Sequence, residues 1–311
     1  MKFVFVDLMK SKAYTPRTPL NAPLGGSQSA ICYYVAMLAN LGHEVIMVNG
    51  PDGITESHVE EGIKVEPHMW FFNQKNYMCD VVVLCSATSK THYEILEKNF
   101  IYALSICWQG HYGFEPALYE SETLLYHVDL FAFVSEYQRN HFCRTYHCPI
   151  EKTMLMLNGA SPPFHNAVRA KQDTFIYCSN PQRGLHEVPS IWKEIVKVHP
   201  SAKLEIFSSE KTYGKQNDSE YTLNIYKELR TLNNVTVFES VGQQLLAEHC
   251  GRAAFLLYPT HFVETSCIVC IETSCTGALP IVSDLGVFPE YVDQCVHYGN
   301  NITTAFATRA I

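Results

Sequence analysis

Short apolar runs rich in β-branched residues alternate along the chain with longer amphipathic segments, and this alternation predicts parallel sheets covered by helices. The pattern occurs twice. In the first half, strands are predicted over 2–7, 44–48, 80–85, 101–106 and 130–134, with helices over 26–41, 90–98 and 135–146. In the second half, strands are predicted over 174–178, 203–207, 235–238, 254–258 and 280–282, with helices over 184–198, 218–231, 243–251 and 265–276.

A punctuated segment, Asn158-Gly159-Ala160-Ser161-Pro162-Pro163, separates the two runs, because glycine and a double proline end both patterns. The fold class predicted is therefore α/β, with one doubly wound, Rossmann-like domain over 1–165 and a second over 166–311. Two such domains are expected to face each other across a cleft. Open α/β sheets bind ligands beyond the carboxyl ends of their strands, so chemistry is expected in the strand-to-helix turns.

Composition narrows the classes of function. A chain of 311 residues with 47% hydrophobic and 17% charged residues is long enough for two cores. Its net charge of −8 provides no global basic field, so nucleic acid is not expected as a partner. Its longest apolar runs are far shorter than the roughly 20 residues of a membrane-spanning helix, so there is no strong membrane signal. Twelve scattered cysteines are typical of thiols in a reducing compartment, and we predict a cytoplasmic protein.

The first glycine-containing turn, Leu24-Gly25-Gly26-Ser27, precedes the first predicted long helix. Paired glycines let backbone N–H groups approach an anion at a helix N-terminus, where the helix dipole also favours negative charge. An ordinary glycine turn before a serine-capped helix explains the segment equally well. The preceding loop carries Lys10, Lys12 and Arg17, which are placed to meet an anionic acceptor. Neither a P-loop nor a dinucleotide-binding glycine fingerprint occurs, which argues against an ATPase or an ordinary dehydrogenase.

Two further turns carry candidate chemistry. In the segment Trp108-Gln109-Gly110-His111, the indole is suited to stacking on a sugar ring and the imidazole to hydrogen bonding with it. Packing of an aromatic loop on its own domain is the alternative. Arg183 opens a predicted helix, where its guanidinium and nearby N–H groups are suited to a diphosphate. An ordinary surface arginine is the alternative. Because the helix dipole disfavours a cation at a helix N-terminus, this alternative is weaker than a functional role.

The glutamates Glu264 and Glu272 are separated by seven residues in a stretch that follows a predicted strand. If the helix begins near Thr265, Glu264 stands at its cap and Glu272 lies two turns on, with the side chains only about 80° apart. Both then face one ligand that runs along the helix. The solvated side of an ordinary helix is the alternative. However, the other helix positions are Ile, Val, Cys, Thr, Ser and Ala, a buried composition in which a carboxylate needs a partner or a ligand.

Together these segments resemble the retaining nucleotide-sugar glycosyltransferases of the GT-B fold, family 4. The resemblance rests on the paired glycines with LANLGHEV after them, FVSEYQRNHF at 133–142, NGASPPF at 158–164, SNPQRGL at 179–185 and YPTHFVETSCIVCIETSCTGALPIVSDLGVFPE at 258–290. The last is the most specific segment, because it holds the glutamate pair. The resemblance implies two Rossmann-like domains and a hexosyltransferase. Such an enzyme moves a hexose or hexosamine from a UDP- or GDP-sugar donor to a glycan, lipid or small-molecule acceptor.

The resemblance also implies roles for single residues. Glu264 contacts the hydroxyls of the donor sugar, Glu272 holds the nucleotide ribose, and Arg183 neutralises the leaving diphosphate. His111 lies near the transferred sugar, so the catalytic set is His111, Glu264 and Arg183. Further donor contacts are assigned to Gly25, Gly26, Val241, Ser266, Cys267 and Ile268, and acceptor contacts to Lys12, Arg17 and Trp108.

In this family the anomeric configuration is retained. The usual proposal is front-side attack in which the departing phosphate helps accept the acceptor's proton, so no pair of catalytic carboxylates is expected. None of the eight aspartates lies two residues from another, so the D-x-D metal motif of the other large glycosyltransferase fold is missing. Neither a metal nor a cofactor is predicted. Cys267, Cys270, Cys275 and His261 suggest zinc, but cysteines in a core helix pack as small hydrophobes.

The chain departs from the family pattern in several places. Only Arg183 appears where the family often has two basic residues, and Lys211 or Lys215 is the candidate for the second charge. Cys267 and Ser240 occupy positions that glycine often holds.

The sequence also ends about twenty residues after Glu290, where family members continue, so the C-terminal domain is expected to be truncated. Two alternatives to a transferase stay open. One is a catalytically inactive remnant that binds the donor weakly or not at all, and the other is a sugar-nucleotide epimerase or hydrolase on the same fold.

Overall fold

The computed structural model describes residues 1–7, 13–50, 56–85, 90–109, 127–299 and 301–310. The chain forms two compact units, Met1–Thr18 with Gly26–Asn158 and Pro19–Gly25 with Gly159–Ile311. The domain boundary predicted between residues 165 and 166 is not tested by this division into units and remains a prediction. Within the described ranges, no helix is long and apolar enough to cross a membrane.

The first unit is built around an eight-stranded sheet. Its strands and those of a small second sheet are β1 (Lys2–Asp7), β2 (Glu44–Asn49), β3 (His58–Glu60), β4 (Ile63–Pro67), β5 (Tyr77–Met78), β6 (Val81–Cys85), β7 (Phe100–Ile101), β8 (Leu104–Gln109), β9 (Leu130–Phe133) and β10 (Thr153–Leu155). Its helices are α2 (Gly26–Asn40), α3 (His68–Phe72), α4 (Lys90–Asn99) and α5 (Glu136–Tyr146), while α1 (Thr18–Asn21) spans the division between the units.

The strand order of the large sheet is β10-β9-β8-β6-β1-β2-β4-β3, and β5 pairs with β7 separately. All neighbours run parallel except β3 and β4. The central strand β6 is buried at all five positions, as expected for an apolar run with helices on both faces of a parallel sheet. This arrangement brings the ends of β1, β6, β8 and β9 to one edge.

The second unit holds a five-stranded sheet in the order β13-β12-β11-β14-β15, with all neighbours parallel. Its strands are β11 (Gln172–Tyr177), β12 (Lys203–Phe207), β13 (Val235–Phe238), β14 (Ala253–Tyr258) and β15 (Leu279–Val282). Its helices are α6 (Pro162–His165), α7 (Val188–Val198), α8 (Glu220–Thr231), α9 (Gln243–Arg252), α10 (Ile268–Cys275), α11 (Phe288–Tyr291) and α12 (Ile302–Ala310). The core centres on Trp192, which is fully buried and donates its Nε1–H to the Asn233 carbonyl (3.0 Å).

The α/β class with two Rossmann-like units is confirmed, and several predicted elements differ in their bounds. The strand predicted over 101–106 lies at Leu104–Gln109, and Phe100–Ile101 belongs to the small sheet. A continuous apolar run carries no period that marks where pairing begins, so tertiary pairing decides the register. Trp108 therefore lies inside a strand rather than in a loop after one.

Candidate functional site

Three strand-to-helix turns of the second unit are packed directly against one another at the carboxyl edge of its sheet. A Cβ on Gly184, after β11, would lie 2.1 Å from the Pro259 carbonyl oxygen, and one on Gly286, after β15, would lie 2.3 Å from the Glu264 carbonyl oxygen. Both glycines also have positive φ, at 92° and 72°. Only glycine allows this approach, so these two positions hold the turns on either side of the one that carries Glu264.

Glu264 does not stand at a helix cap. It forms an isolated parallel bridge with Gly286, and its carbonyl accepts from the Val287 N–H (2.9 Å). Its carboxylate accepts from the Tyr258 hydroxyl (2.8 Å) and lies 3.7 Å from Arg183 Nη1. Burial raises the pKa of Glu264, against the opposing effects of Arg183 and the Tyr258 hydrogen bond. The alternative of a solvated helix side is wrong for this residue.

Arg183 contacts both an aromatic ring and the carboxylate of Glu264. Its guanidinium carbon lies 3.3 Å from the centroid of the Phe262 ring, a cation–π contact. Its Nη1 is buried and has no hydrogen-bond partner among the described residues. A guanidinium carries five N–H donors, so this one retains a donor for an anionic ligand. It also borders an open cavity of about 820 Å³ whose wall includes His186, Tyr213 and His261.

Glu272 lies inside α10 and is 4% exposed. Its Oε1 accepts from Ser161 Oγ (2.8 Å) and from Gln243 Nε2 (2.9 Å), which are both neutral donors. Burial raises its pKa to about 8, although the hydrogen bonds from Ser161 act in the opposite direction. The prediction that this carboxylate needs a partner is correct, and Ser161 and Gln243 are the partners that the sequence did not reveal.

The helix α10 begins three residues later than predicted, at Ile268 rather than Thr265. Cys267 precedes it with φ 51° and ψ 70°, a left-handed conformation that is uncommon for a residue with a side chain. This explains why the family often has glycine at this position, because glycine adopts the left-handed conformation without strain. Ser266 is nearly buried, and its carbonyl accepts a hydrogen bond from the Tyr291 hydroxyl. The turn from Glu264 to Cys267 is therefore a fixed loop.

The two lysines predicted to supply a second positive charge for a phosphate, Lys211 and Lys215, already form ion pairs within the protein. Lys215 pairs with the carboxylate of Glu210, and Lys211 Nζ lies 3.2 Å from Glu239 Oε1. Glu210 is 2% exposed and accepts from Ser219 and Thr222 as well. Lys215 and these hydroxyls hold its pKa at about 2. Among the described residues of the second unit, Arg183 is thus left as the guanidinium with a spare buried donor.

The remaining predicted residues are distributed over both units. Val241 is partly buried against the core of the second unit, ahead of α9. Gly26 opens α2, and Gly25 directly precedes it. Arg17 is exposed and lies 3.5 Å from Glu61. Trp108 is 4% exposed, so its ring offers no open stacking surface. Lys12 and His111 lie outside the described residues.

Sequence reasoning missed several polar side chains of this region. Tyr258 ends β14 and Ser179 follows β11, and their hydroxyl oxygens lie 3.3 Å apart. Ser161 directly precedes α6, and Gln243 begins α9. The position of Tyr258 directly before the glutamate turn was the available signal. Within the described ranges, no group of three or more His, Cys, Asp or Glu side chains is placed to hold a metal ion.

Compared by sequence, the chain matches no family model and no curated protein. Its structure is similar to several solved glycosyltransferases. A sucrose-phosphate synthase from Thermosynechococcus elongatus superposes with a TM-score of 0.68 at 13% identity, over 99% of this chain and 88% of that one. AviGT4, a glycosyltransferase involved in avilamycin A biosynthesis, gives 0.62 at 16% identity over 99% and 87%.

Anabaena HepE, solved in complex with UDP and glucose, gives a TM-score of 0.64 at 11% identity over 100% of this chain and 89% of that chain. These similarities extend over nearly the whole chain. At 11–16% sequence identity they show that the fold is shared. The chain therefore has the GT-B fold of the nucleotide-sugar glycosyltransferases.

Proposed function

We propose that the protein is a retaining glycosyltransferase of the family 4 type, which transfers a hexose or hexosamine from a UDP- or GDP-sugar without a catalytic metal. The observation that carries the proposal is the guanidinium of Arg183, whose buried Nη1 has no hydrogen-bond partner among the described residues and lies 3.7 Å from the Glu264 carboxylate. A leaving diphosphate needs cationic and N–H stabilisation, whereas a sugar needs a fixed carboxylate for its hydroxyls. The two groups together are suited to the bond between a sugar and a phosphate.

The donor is oriented along the second unit from Glu264 to Glu272. Glu264 accepts from the sugar hydroxyls, while Arg183 and the N–H groups of Ser266, Cys267 and Ile268 receive the diphosphate. Glu272, held by Ser161 and Gln243, contacts the ribose. The close contact of Gly286 with the backbone of Glu264 supports this orientation, because it fixes the turn that carries the sugar-binding carboxylate. Gly25, Gly26 and Val241 supply further donor contacts in this proposal.

The reaction is a displacement on one face of the sugar. The bond from the anomeric carbon to the diphosphate oxygen breaks, and its electron pair stays on the diphosphate. The acceptor hydroxyl oxygen forms the new bond on the same face, and its proton passes to the departing diphosphate. Arg183 stabilises the charge that develops on the leaving group. Neither glutamate has to act as a nucleophile. His111, Lys12 and Arg17 keep their predicted roles near the transferred sugar and the acceptor.

Isothermal titration calorimetry with UDP and with GDP tests the donor site. Arg183→Ala is expected to weaken binding of the preferred nucleotide about 10- to 100-fold, because charge-assisted hydrogen bonds to the diphosphate are lost. Arg230→Ala is the matched control, since Arg230 also lies over an aromatic ring of the same unit, 5.8 Å from the Tyr226 centroid. Equal effects of the two variants, or no binding of either nucleotide to the wild type, would contradict the donor site.

Turnover separates the alternatives. Incubation with a UDP- or GDP-sugar and a mixture of sugar acceptors, in the presence of EDTA, is expected to give a product with the donor's anomeric configuration, which NMR reports. Release of free sugar without an acceptor would indicate a hydrolase instead. Nucleotide binding without any turnover would indicate an inactive, donor-binding member of the fold.

A further inference from the structure

A second cavity of the second unit, of about 590 Å³, lies between α9 and α6 with the residues that follow α6. Every residue that lines it belongs to the second unit. Most of its wall is apolar and includes Leu20, Pro162, Pro163, Val168 and Ala247. A cavity of this volume, with an apolar wall and a few polar groups, is typical of a small-molecule site.

Two opposite charges line this cavity without neutralising each other. Glu248 and Arg252 lie four residues apart on α9, so they share one face of the helix about 6 Å apart along its axis. A glutamate four residues before a cation is the order that favours an ion pair. However, neither side chain forms an ion pair or a hydrogen bond with a described residue. Both charges are therefore open to a ligand.

The two charges restrict the chemistry of that ligand. The guanidinium of Arg252 is suited to a carboxylate, and the carboxylate of Glu248 is suited to an ammonium group. A purely anionic ligand would be repelled by Glu248 and a purely cationic one by Arg252, whereas a zwitterion satisfies both. Val168, which is 79% exposed on the same wall, would be covered by an apolar part of the ligand.

The two helices that form the cavity begin at the partners of Glu272. Ser161 directly precedes α6, and Gln243 is the first residue of α9. Ser161 Oγ (2.8 Å) and Gln243 Nε2 (2.9 Å) both donate to Glu272 Oε1. A ligand held between α6 and α9 therefore contacts the same two elements that position the donors of this carboxyl group.

We propose that this cavity is an effector site for a small amphipathic zwitterion of the α-amino acid class, in which Arg252 binds the carboxylate and Glu248 binds the ammonium group. The apolar side chain of the ligand lies against the proline and valine wall. Occupancy of the cavity is coupled to the Glu272 carboxyl group through Ser161 and Gln243. The resulting effect on nucleotide affinity rests on the proposed function, in which Glu272 contacts the ribose.

Calorimetry with L-phenylalanine and L-leucine tests the ligand class. The better of the two probes is expected to bind saturably, and Arg252→Gln and Glu248→Gln are each expected to weaken it at least about tenfold, because a charge-assisted contact is lost. The same probe without its ammonium group, or without its carboxylate, is expected to bind the wild type at least about tenfold more weakly. Arg230→Gln and Glu220→Gln, at exposed positions of α8, are the matched controls and are expected to stay within about twofold of the wild type.

The coupling is measured without a nucleotide, by ¹³C NMR of the Glu272 carboxyl carbon, which the Glu272→Gln variant assigns. The probe is expected to shift this signal in the wild type and, at the same concentration, much less in Arg252→Gln. UDP and GDP binding is measured on the same samples. If no nucleotide binds while the probe binds and shifts the Glu272 signal, the proposed function fails and the effector site stands. If neither amino acid binds, if an analogue with a single charge binds equally well, or if the bound probe leaves the Glu272 signal in place, the effector site is wrong.

Discussion

Two glutamates of the second unit are both shielded from solvent and yet ionise in opposite ways, because burial is the largest influence on the pKa of Glu272 and only a minor one on the pKa of Glu210. Glu210 is 2% exposed and Glu272 is 4% exposed. Lys215 and several hydroxyls hold the pKa of Glu210 at about 2, whereas burial among neutral donors raises the pKa of Glu272 to about 8. The carboxylate of Glu210 is paired with a cation and accepts from several hydroxyls, so its charge is satisfied by the protein itself. Glu272 is held by neutral donors among the described residues, so its carboxyl group keeps a raised pKa and can still accept from a ligand.

The largest expected difference between the two is in stability. Glu210→Gln is expected to lower the free energy of unfolding by about 2–3 kcal/mol, since charge-assisted hydrogen bonds from Ser219 and Thr222 and the pair with Lys215 are lost. Glu272→Gln is expected to raise it at pH 7, by up to about 3 kcal/mol, because glutamine removes the cost of keeping on Glu272 in the folded state a proton that the unfolded state releases. Urea unfolding reported by Trp192 fluorescence, with Trp70 and Trp108 replaced by phenylalanine, measures both. Equal losses would remove the distinction.

The second difference is in pH dependence. Between the ordinary pKa of 4.5 and about 8, the folded state keeps a proton on Glu272 that the unfolded state has released. Stability therefore falls as pH rises through this window, by up to about 1.4 kcal/mol per pH unit from this group. Glu210 acts oppositely: its contribution is present above pH 4.5 and is lost as pH falls towards 2.

Unfolding free energies measured from acid to pH 9 for the wild type and for each glutamine variant isolate the two contributions, because other titrating groups cancel in the differences. Glu272→Gln is expected to remove the decline at neutral pH, and Glu210→Gln the loss in acid. A wild type and Glu272→Gln variant with parallel profiles between pH 5 and pH 8 would show that the pKa of Glu272 is not raised.

A third difference concerns the nucleotide. Glu272→Gln is expected to weaken UDP or GDP binding about tenfold, the size of one or two hydrogen bonds to a ribose. Glu210→Gln is expected to leave the affinity within about twofold in conditions where the variant is folded, because Glu210 is already satisfied by its neighbours. Calorimetry of both variants decides, and a larger loss in Glu210→Gln would place the nucleotide at the other glutamate.

The smallest expected effect is at Ser161. Ser161→Ala removes one of the two hydrogen bonds to Glu272 and is expected to destabilise the second unit by about 1 kcal/mol. Ser201→Ala is the control, since its hydroxyl makes an exposed and longer contact with Asp173 (3.3 Å), and it is expected to change stability by less than about 0.5 kcal/mol. Thermal unfolding of the two variants compares them directly. If they shift equally, the Ser161 hydroxyl does not support Glu272.

The sequence pattern predicted the main strands and helices of both units because the alternation of buried runs and amphipathic segments is a local property. It did not predict the short elements β3, β4 and α3, and it placed the strand around Ile106 three residues too early. Local apolar runs do not encode which residues pair across a sheet. For the same reason Trp108 was expected in an open loop and is found buried in β8.

The sequence alone determined that Arg183, Glu264 and Glu272 follow strands whose carboxyl ends share one edge, and its small apolar residues argued against a solvated helix. Only the tertiary structure decided the pKa values of these carboxyl groups and which of the nearby cations are already paired. Ser161 reaches Glu272 across 111 residues of sequence, and Lys215 satisfies Glu210 so that it is not spare for a phosphate. The pKa of a buried carboxylate depends on partners brought from distant segments, and residue spacing carries no information about them.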